Sequence, residues 1–243
     1  MKLTVLGNAG RYLAPLAGGS SYLLEAAGAR VLLDAGQGAR AALAARDVEP
    51  LDGVWISHMH FDHVLDLPTL GGGLDDDARI HLPRGERRRL DDLANAYAWD
   101  GPFEMQGGVV EVEEGEKVSV RGIRMTFART QHSAPAMAAR FEADGRALVY
   151  ASDTAPCDAL RALARDADLL LMHTLLPTVE PESEHARIHS TAATAGALAA
   201  EVGARRLLLS HRYHESADGA MREAAASRFG AVELARDGET YEL

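Results

Sequence analysis

Four metal-ligand side chains fall within six residues, His58-Met59-His60-Phe61-Asp62-His63, directly after the short apolar run 54–57. Neutral imidazole and carboxylate are the donors that zinc and similar divalent ions take. A loop that merely met water would leave four such groups idle. In extended backbone His58 and His60 point the same way, because side chains alternate. Asp62 and His63 are adjacent, so they diverge and can reach a second ion.

The same residue types recur downstream at the ends of predicted strands. His132 follows the strand-like stretch 124–130, Asp153 follows 147–151, and His211 follows 206–210. Loops at the carboxyl ends of strands are where α/β folds place chemistry. Any one of these residues alone is unremarkable, but with the hexapeptide they form a pattern.

Around them the chain alternates strands and helices. Strands are predicted at 3–6, 21–25, 30–34, 54–57, 80–82, 109–112, 117–126, 138–142, 147–151, 168–172 and 206–210. Residues 26–29 and 143–146 read as hairpin turns. Helices are predicted at 39–46, 85–96, 157–165, 191–202 and 219–229, the third with Asp153 or Thr154 near its start. Hairpins mixed with helices point to two sheets between helical layers. The polar stretch 177–187 reads as a long mobile loop.

Composition narrows the function. A chain of 243 residues can bury a large core without staples. The single cysteine, Cys157, excludes an internal disulfide framework and a zinc site of several thiolates. A net charge of −11 disfavours a general nucleic-acid binder. The apolar N-terminal stretch is too short for a signal peptide, and no run is long enough to span a bilayer. The expectation is one domain, residues 1–243, in the cytoplasm and not bound to membrane.

On these residues the chain resembles the metallo-β-lactamase superfamily over nearly its whole length. The resemblance implies an α/β (α+β) chain in a four-layer αββα sandwich, with a dinuclear metal site at one edge of the sheets. By matching motif, His58, His60 and His132 would hold one ion, and Asp62, His63 and His211 the other, with Asp153 bridging. Zinc is the first expectation, with manganese or iron as alternatives. A hydroxide shared by the two ions would attack carbon or phosphorus, with Asp62 doubling as its orienter. Asp34, in the stretch 32–36, matches a supporting aspartate of the superfamily. A homodimer is compatible with the resemblance.

The segment His189-Ser190-Thr191 resembles a motif of the ribonuclease Z-like phosphodiesterase branch. There the histidine gives a proton to a departing alkoxide, a poor leaving group that needs an acid. That branch usually carries a glutamate paired with this histidine. Here His173 is expected in its place, as support for His189, as a substrate contact or as a structural residue. Only twenty residues separate His132 from Asp153, too few for the tRNA-clasping arm of ribonuclease Z enzymes. A small, cyclic phosphodiester is therefore the expected substrate and nucleic acid is disfavoured. The alternatives are a lactone or thioester hydrolase on the same scaffold, a ribonuclease Z-type RNA endonuclease, and a metal-binding protein without activity.

The remaining residues are given plainer expectations. Arg84 and Arg87-Arg88-Arg89 are expected to form a solvated helix face beside Asp75-Asp76-Asp77. Arg140, His81, His185 and His214 are read as structural. Arg11, in the loop after the first strand, is a candidate phosphate contact.

Overall fold

The strands are apolar on both faces, and the alternation of side chains decides which layer each residue joins. The computed structural model describes residues 1–10, 17–70, 73–96, 108–211 and 217–243. Six strands come first: β1 (Lys2–Gly7), β2 (Ser21–Ala26), β3 (Ala29–Leu33), β4 (Leu51–Trp55), β5 (Leu74–Pro83) and β6 (Val109–Val112). Seven follow: β7 (Lys117–Val120), β8 (Ile123–Arg129), β9 (Met137–Ala143), β10 (Arg146–Ser152), β11 (Leu169–His173), β12 (Leu207–Ser210) and β13 (Val232–Leu234). Strand β14 (Thr240–Glu242) ends the series. The helices are α1 (Ala39–Ala44), α2 (Phe61–Val64), α3 (Arg87–Ala96), α4 (Asp158–Leu163), α5 (Glu184–Ile188), α6 (Ala192–Glu201) and α7 (Asp218–Ala226).

The strands form two seven-stranded sheets, ordered β14-β1-β2-β3-β4-β5-β6 and β13-β12-β11-β10-β9-β8-β7. Leu169 and Leu171 point into the layer between the sheets, with Tyr22, Leu24, Phe127 and Tyr150. Leu170 and Met172, one residue out of phase, pack with Ala195 and Leu198 of α6 and Met221 of α7. In the first sheet Leu23 and Leu32 face outward and pack with Leu43 of α1 and Leu90 of α3. Strands buried on both faces read as continuous apolar runs, and each face finds its own layer. This is the αββα sandwich expected from the sequence. No helix among the described residues is long and apolar enough to cross a membrane.

Some predicted boundaries move. The stretch 117–126 is two strands, β7 and β8, because Arg121 takes a left-handed backbone (φ 46°) and turns the chain. The loop 177–187 contains the start of α5, capped by Ser183, whose Oγ accepts from the Ala186 amide. Strand β5 reaches back to Leu74, so Asp75-Asp76-Asp77 lie on a strand, where Asp75 meets Arg121. Arg87, Arg88 and Arg89 pair with Asp91, Asp92 and Glu86, as a solvated helix face would. Arg140 is structural, donating to the carbonyls of Leu163 and Arg165. Helix α4 starts after Cys157, and Asp153 is not its cap.

Helices α6 and α7 touch at Gly196. A Cβ there would lie 2.5 Å from the Ala225 carbonyl oxygen, so the two backbones are in contact. Gly196→Ala gains about 1 kcal/mol of helix propensity. It also forces the helices apart, which costs about 1–3 kcal/mol. The expected outcome is a lower urea midpoint than the parent's, with secondary structure unchanged.

Candidate metal centre

The functional side chains collect at the carboxyl ends of the central strands. The hexapeptide follows β4, and Asp62 and His63 lie in the first turn of α2, with extended His60 as its N-cap. Asp34, Ser152 and His211, at the ends of β3, β10 and β12, have left-handed backbones (φ 55°, 56° and 66°). Such backbones are strained for ordinary residues and cluster where a site is held together by its surroundings. Gly10 allows the chain to pass the His211 ring, since a Cβ there would come within 2.8 Å of it.

Tautomers follow from counting hydrogens. Asp34 is fully buried and accepts from the Ser57 amide, Ser57 Oγ, Tyr150 Oη and His63 Nδ1. Ser57 Oγ has spent its one hydrogen there, so it accepts from His58 Nδ1 (3.1 Å) and Ser152 Oγ (2.7 Å). His132 Nδ1 donates to the Ile188 carbonyl at 3.0 Å. The free lone pairs of His58 and His132 are therefore on Nε2. They face His60 Nδ1 at 3.0 and 3.2 Å, and one hydrogen can satisfy only one of them. A cation resolves this arrangement.

His58, His60, His132 and Asp153 present one group of donor atoms within 4.8 Å of each other, and His63, Asp153, His173 and His211 present another. In the second group His63 Nε2 and His211 Nδ1 are buried, with no hydrogen-bond partner among the described residues. Orphaned buried nitrogens are costly unless something binds them. The donor set is thus chemically suited to divalent ions. Asp62 lies beside the second group, 3.1 Å from His211 Nε2 and 3.8 Å from His63 Nε2.

The electrostatics favour the metal-binding forms of His58, His60, Asp62 and Asp153. At His63 burial works downward, but the Asp34 and Asp153 carboxylates outweigh it and hold the imidazole well above the usual histidine range, so an ion there must displace a proton. Burial, followed by the charge of His63, holds His58 well below the usual histidine range. Burial also lowers His60, with His132 beside it. Burial works to raise Asp153, but His211, His173 and His63 outweigh it and hold the carboxyl well below its ordinary value. Burial also works to raise Asp62, but its hydrogen bond to His211 together with the charges of His63 and His211 outweighs it and holds the carboxyl down at about 2. Neutral imidazoles and ionised carboxylates are the forms that bind metal.

His173 requires a correction. It does not pair with His189. Its Nδ1 lies 3.1 Å from Asp153 Oδ1 and its Nε2 3.0 Å from Tyr22 Oη. The residue that meets the His189 segment is its neighbour, Thr174, bridged to Ser190. The alternation of β11 turns His173 into the cluster and Thr174 away from it. Thr174 Oγ1 is buried without a partner among the described residues.

His189 is half-buried and packs edge-on against His132, with ring centroids 4.8 Å apart. Burial pulls its imidazole down to about 4. It does not cap α6, where Thr191 does so in a reciprocal pair with Thr194, but it closes the carboxyl end of α5, its amide donating to the His185 carbonyl. His185 is more than a surface residue, because its ring stacks on His189 at 4.9 Å and its Nε2 is buried without a partner among the described residues. His81 is buried within β5. Arg11 and His214 lie outside the described residues.

Comparison with known proteins bears on this site. The family described as "Beta-lactamase superfamily domain" matches residues 29–212. The uncharacterized protein ML1173 of Mycobacterium leprae is 31% identical across all of this chain and 89% of its own length. Ribonuclease Z of Methanosarcina acetivorans is 25% identical, covering 87% of each chain. The crystal structure of YhfI from Bacillus subtilis, a metallo-beta-lactamase fold protein, superposes with a TM-score of 0.84 at 23% identity, over 99% of this chain and 98% of that one. The matched stretch contains the hexapeptide, Asp153, His189 and His211. The chain belongs to the beta-lactamase superfamily, has proteins named ribonuclease Z among its relatives, and carries that family's hydrolase scaffold with a His/Asp cluster of metal-site composition.

Proposed function

We propose that this hydrolase is a dinuclear metal-dependent phosphodiesterase whose substrates are small, cyclic phosphodiesters. His58, His60 and His132 hold one ion, Asp62, His63 and His211 the other, and Asp153 both, with zinc the first choice and manganese or iron alternatives. Bound there, two divalent ions supply a nucleophilic water at neutral pH and neutralise charge on the phosphoryl oxygens.

The observation that carries the reading is the place of His189. Its ring lies against His132, and the preceding carbonyl, Ile188, accepts the His132 Nδ1 hydrogen. The imidazole is thereby tied to the rim of the cluster, within reach of a leaving group. Neutral in the free protein, it gains a proton when an anionic phosphodiester lies beside it, since a nearby negative charge favours the imidazolium. It then hands that proton to the departing alkoxide. Asp62, beside His211, accepts a hydrogen from the attacking water and so orients it.

The relatives named ribonuclease Z remove the grounds for setting nucleic acid aside. RNA presents the same bond, so RNA cleavage is the second reading. Against it, residues between His132 and Asp153 form the hairpin of β9 and β10, joined by the two-residue turn Asp144-Gly145, with no arm.

Zinc- and manganese-loaded protein should be assayed on 3′,5′-cyclic AMP, bis-p-nitrophenyl phosphate and a precursor tRNA. His189→Ala is expected to lose about 10²–10⁴-fold on the cyclic nucleotide, whose leaving group is an alkoxide, with metal content unchanged. The loss on bis-p-nitrophenyl phosphate should be much smaller, because p-nitrophenolate departs without acid help. Equal losses on both would remove the acid role. Cleavage of the precursor alone would favour the RNA reading.

A further inference from the structure

Asp153 belongs to both donor groups, and its two oxygens face different surroundings. Oδ2 lies 3.6 Å from His63 Nε2, 3.8 Å from His58 Nε2 and 3.9 Å from His132 Nε2. It is nearly equidistant from nitrogens of both groups, where a shared ligand atom belongs. Oδ1 lies away from that point, 3.1 Å from His173 Nδ1 and 3.6 Å from His211 Nδ1.

The direction of the hydrogen bonds behind Oδ1 is determined. An ionised carboxylate only accepts, so the hydrogen between it and His173 sits on Nδ1. The neutral ring then has its lone pair on Nε2, 3.0 Å from Tyr22 Oη. Tyr22 must donate to it, and its oxygen accepts from Ser210 Oγ at 2.6 Å. Ser210, Tyr22, His173 and Asp153 are all buried. The chain of donors runs one way, from Ser210 through Tyr22 and His173 to Asp153. It crosses the sandwich, since Tyr22 is on β2 of one sheet and the rest belong to the other. The His173 ring also stacks on His211, at 4.6 Å and 13°.

We propose that His173 is a positioning residue that engages Oδ1 of Asp153 and so presents Oδ2 to both metal positions, with Tyr22 and Ser210 fixing its tautomer. The inference rests on the dinuclear reading. Without the Nδ1 hydrogen the carboxylate is free to turn about its last bond, and the shared oxygen leaves its place between the two groups.

The test uses the full chain as wild type, His173→Ala, His173→Asn and Tyr22→Phe. Each is stripped with chelator and titrated with Mn²⁺, followed by calorimetry and by the magnetic coupling of a manganese pair. Wild type should take up two equivalents and show the coupled signal. His173→Ala should keep one tight equivalent, lose the coupling and bind the second about 10–100-fold more weakly. His173→Asn, whose amide hydrogen can take the place of the Nδ1 hydrogen, should restore the coupled pair. Tyr22→Phe should fall between wild type and His173→Ala. A coupled pair of wild-type affinity in His173→Ala overturns the inference. So does failure of His173→Asn to restore it in a protein with a native circular dichroism spectrum, because His173 would then be a ligand itself. A wild-type protein that binds no manganese or zinc overturns the dinuclear reading and takes this inference with it.

Discussion

Asp153→Asn is expected to lower kcat/KM for phosphodiesters by at least about 10³-fold, or about 4 kcal/mol of transition-state stabilisation. Metal uptake should fall with it. The expectation comes from the position of one carboxylate in two donor groups. An amide of the same shape keeps the contact with His173, so the strand end should stay in place. It loses the charge that faces five imidazoles, and a neutral amide oxygen is a weak ligand for a divalent ion. Asp153→Ala is a poorer probe, because it also leaves His173 Nδ1 with a hydrogen and no acceptor in a buried place, which costs about 1–3 kcal/mol. The contrast with His189→Ala is the informative one. Both variants should be strongly impaired on cyclic nucleotides, but only Asp153→Asn should be short of metal by elemental analysis. Two equivalents of metal and near-parental kcat/KM in Asp153→Asn would sink the assignment of Asp153 as a bridge.

The ligand-type residues were legible in the sequence because each stands at the carboxyl end of an apolar run. Once β4, β10 and β12 were placed, His58, Asp153 and His211 had to share one edge of the sandwich. Asp34 was legible for the same reason. What holds these residues was not legible. Tyr22 and Tyr150 sit in apolar strands and read as core, which they also are. Their hydroxyls reach polar groups of the opposite sheet, and that pairing depends on which faces meet, a fact absent from local sequence. The misplacement of His173 has a related cause. His173 and Thr174 are adjacent at the end of a strand, where one residue exchanges the two faces, so His173 turns to Asp153 while Thr174 meets the His189 segment. His185 reads as a polar-loop residue in the sequence because the helix that brings it under His189 has only five residues, too few for a periodic signal. Strands β13 and β14, three residues each, fall below what periodicity can resolve.

Removing metal from the loaded protein is expected to lower its thermal midpoint by roughly 8–16 °C for each position held at a thousandfold excess over its dissociation constant. The estimate combines about 4.1 kcal/mol of linkage at that excess with about 2–4 °C per kcal/mol for a chain of this size. The structure says why the ions should bind the folded state alone. The donors come from β4 and α2 and from the ends of β8, β10 and β12, and an unfolded chain brings none of them together. Without ions the buried nitrogens of His63 and His211 lack partners among the described residues, and the lone pairs of His58 and His132 compete for one hydrogen. The loss should nevertheless stop short of unfolding. The three apolar layers contain none of the proposed ligands, so the chelated protein should still melt in one cooperative transition. Scanning fluorimetry with chelator, then with zinc or manganese restored, reads this directly. In Asp153→Asn the shift should shrink to a fraction of the parental one. A midpoint indifferent to chelator in protein that carries metal by elemental analysis would place the ions outside this cluster.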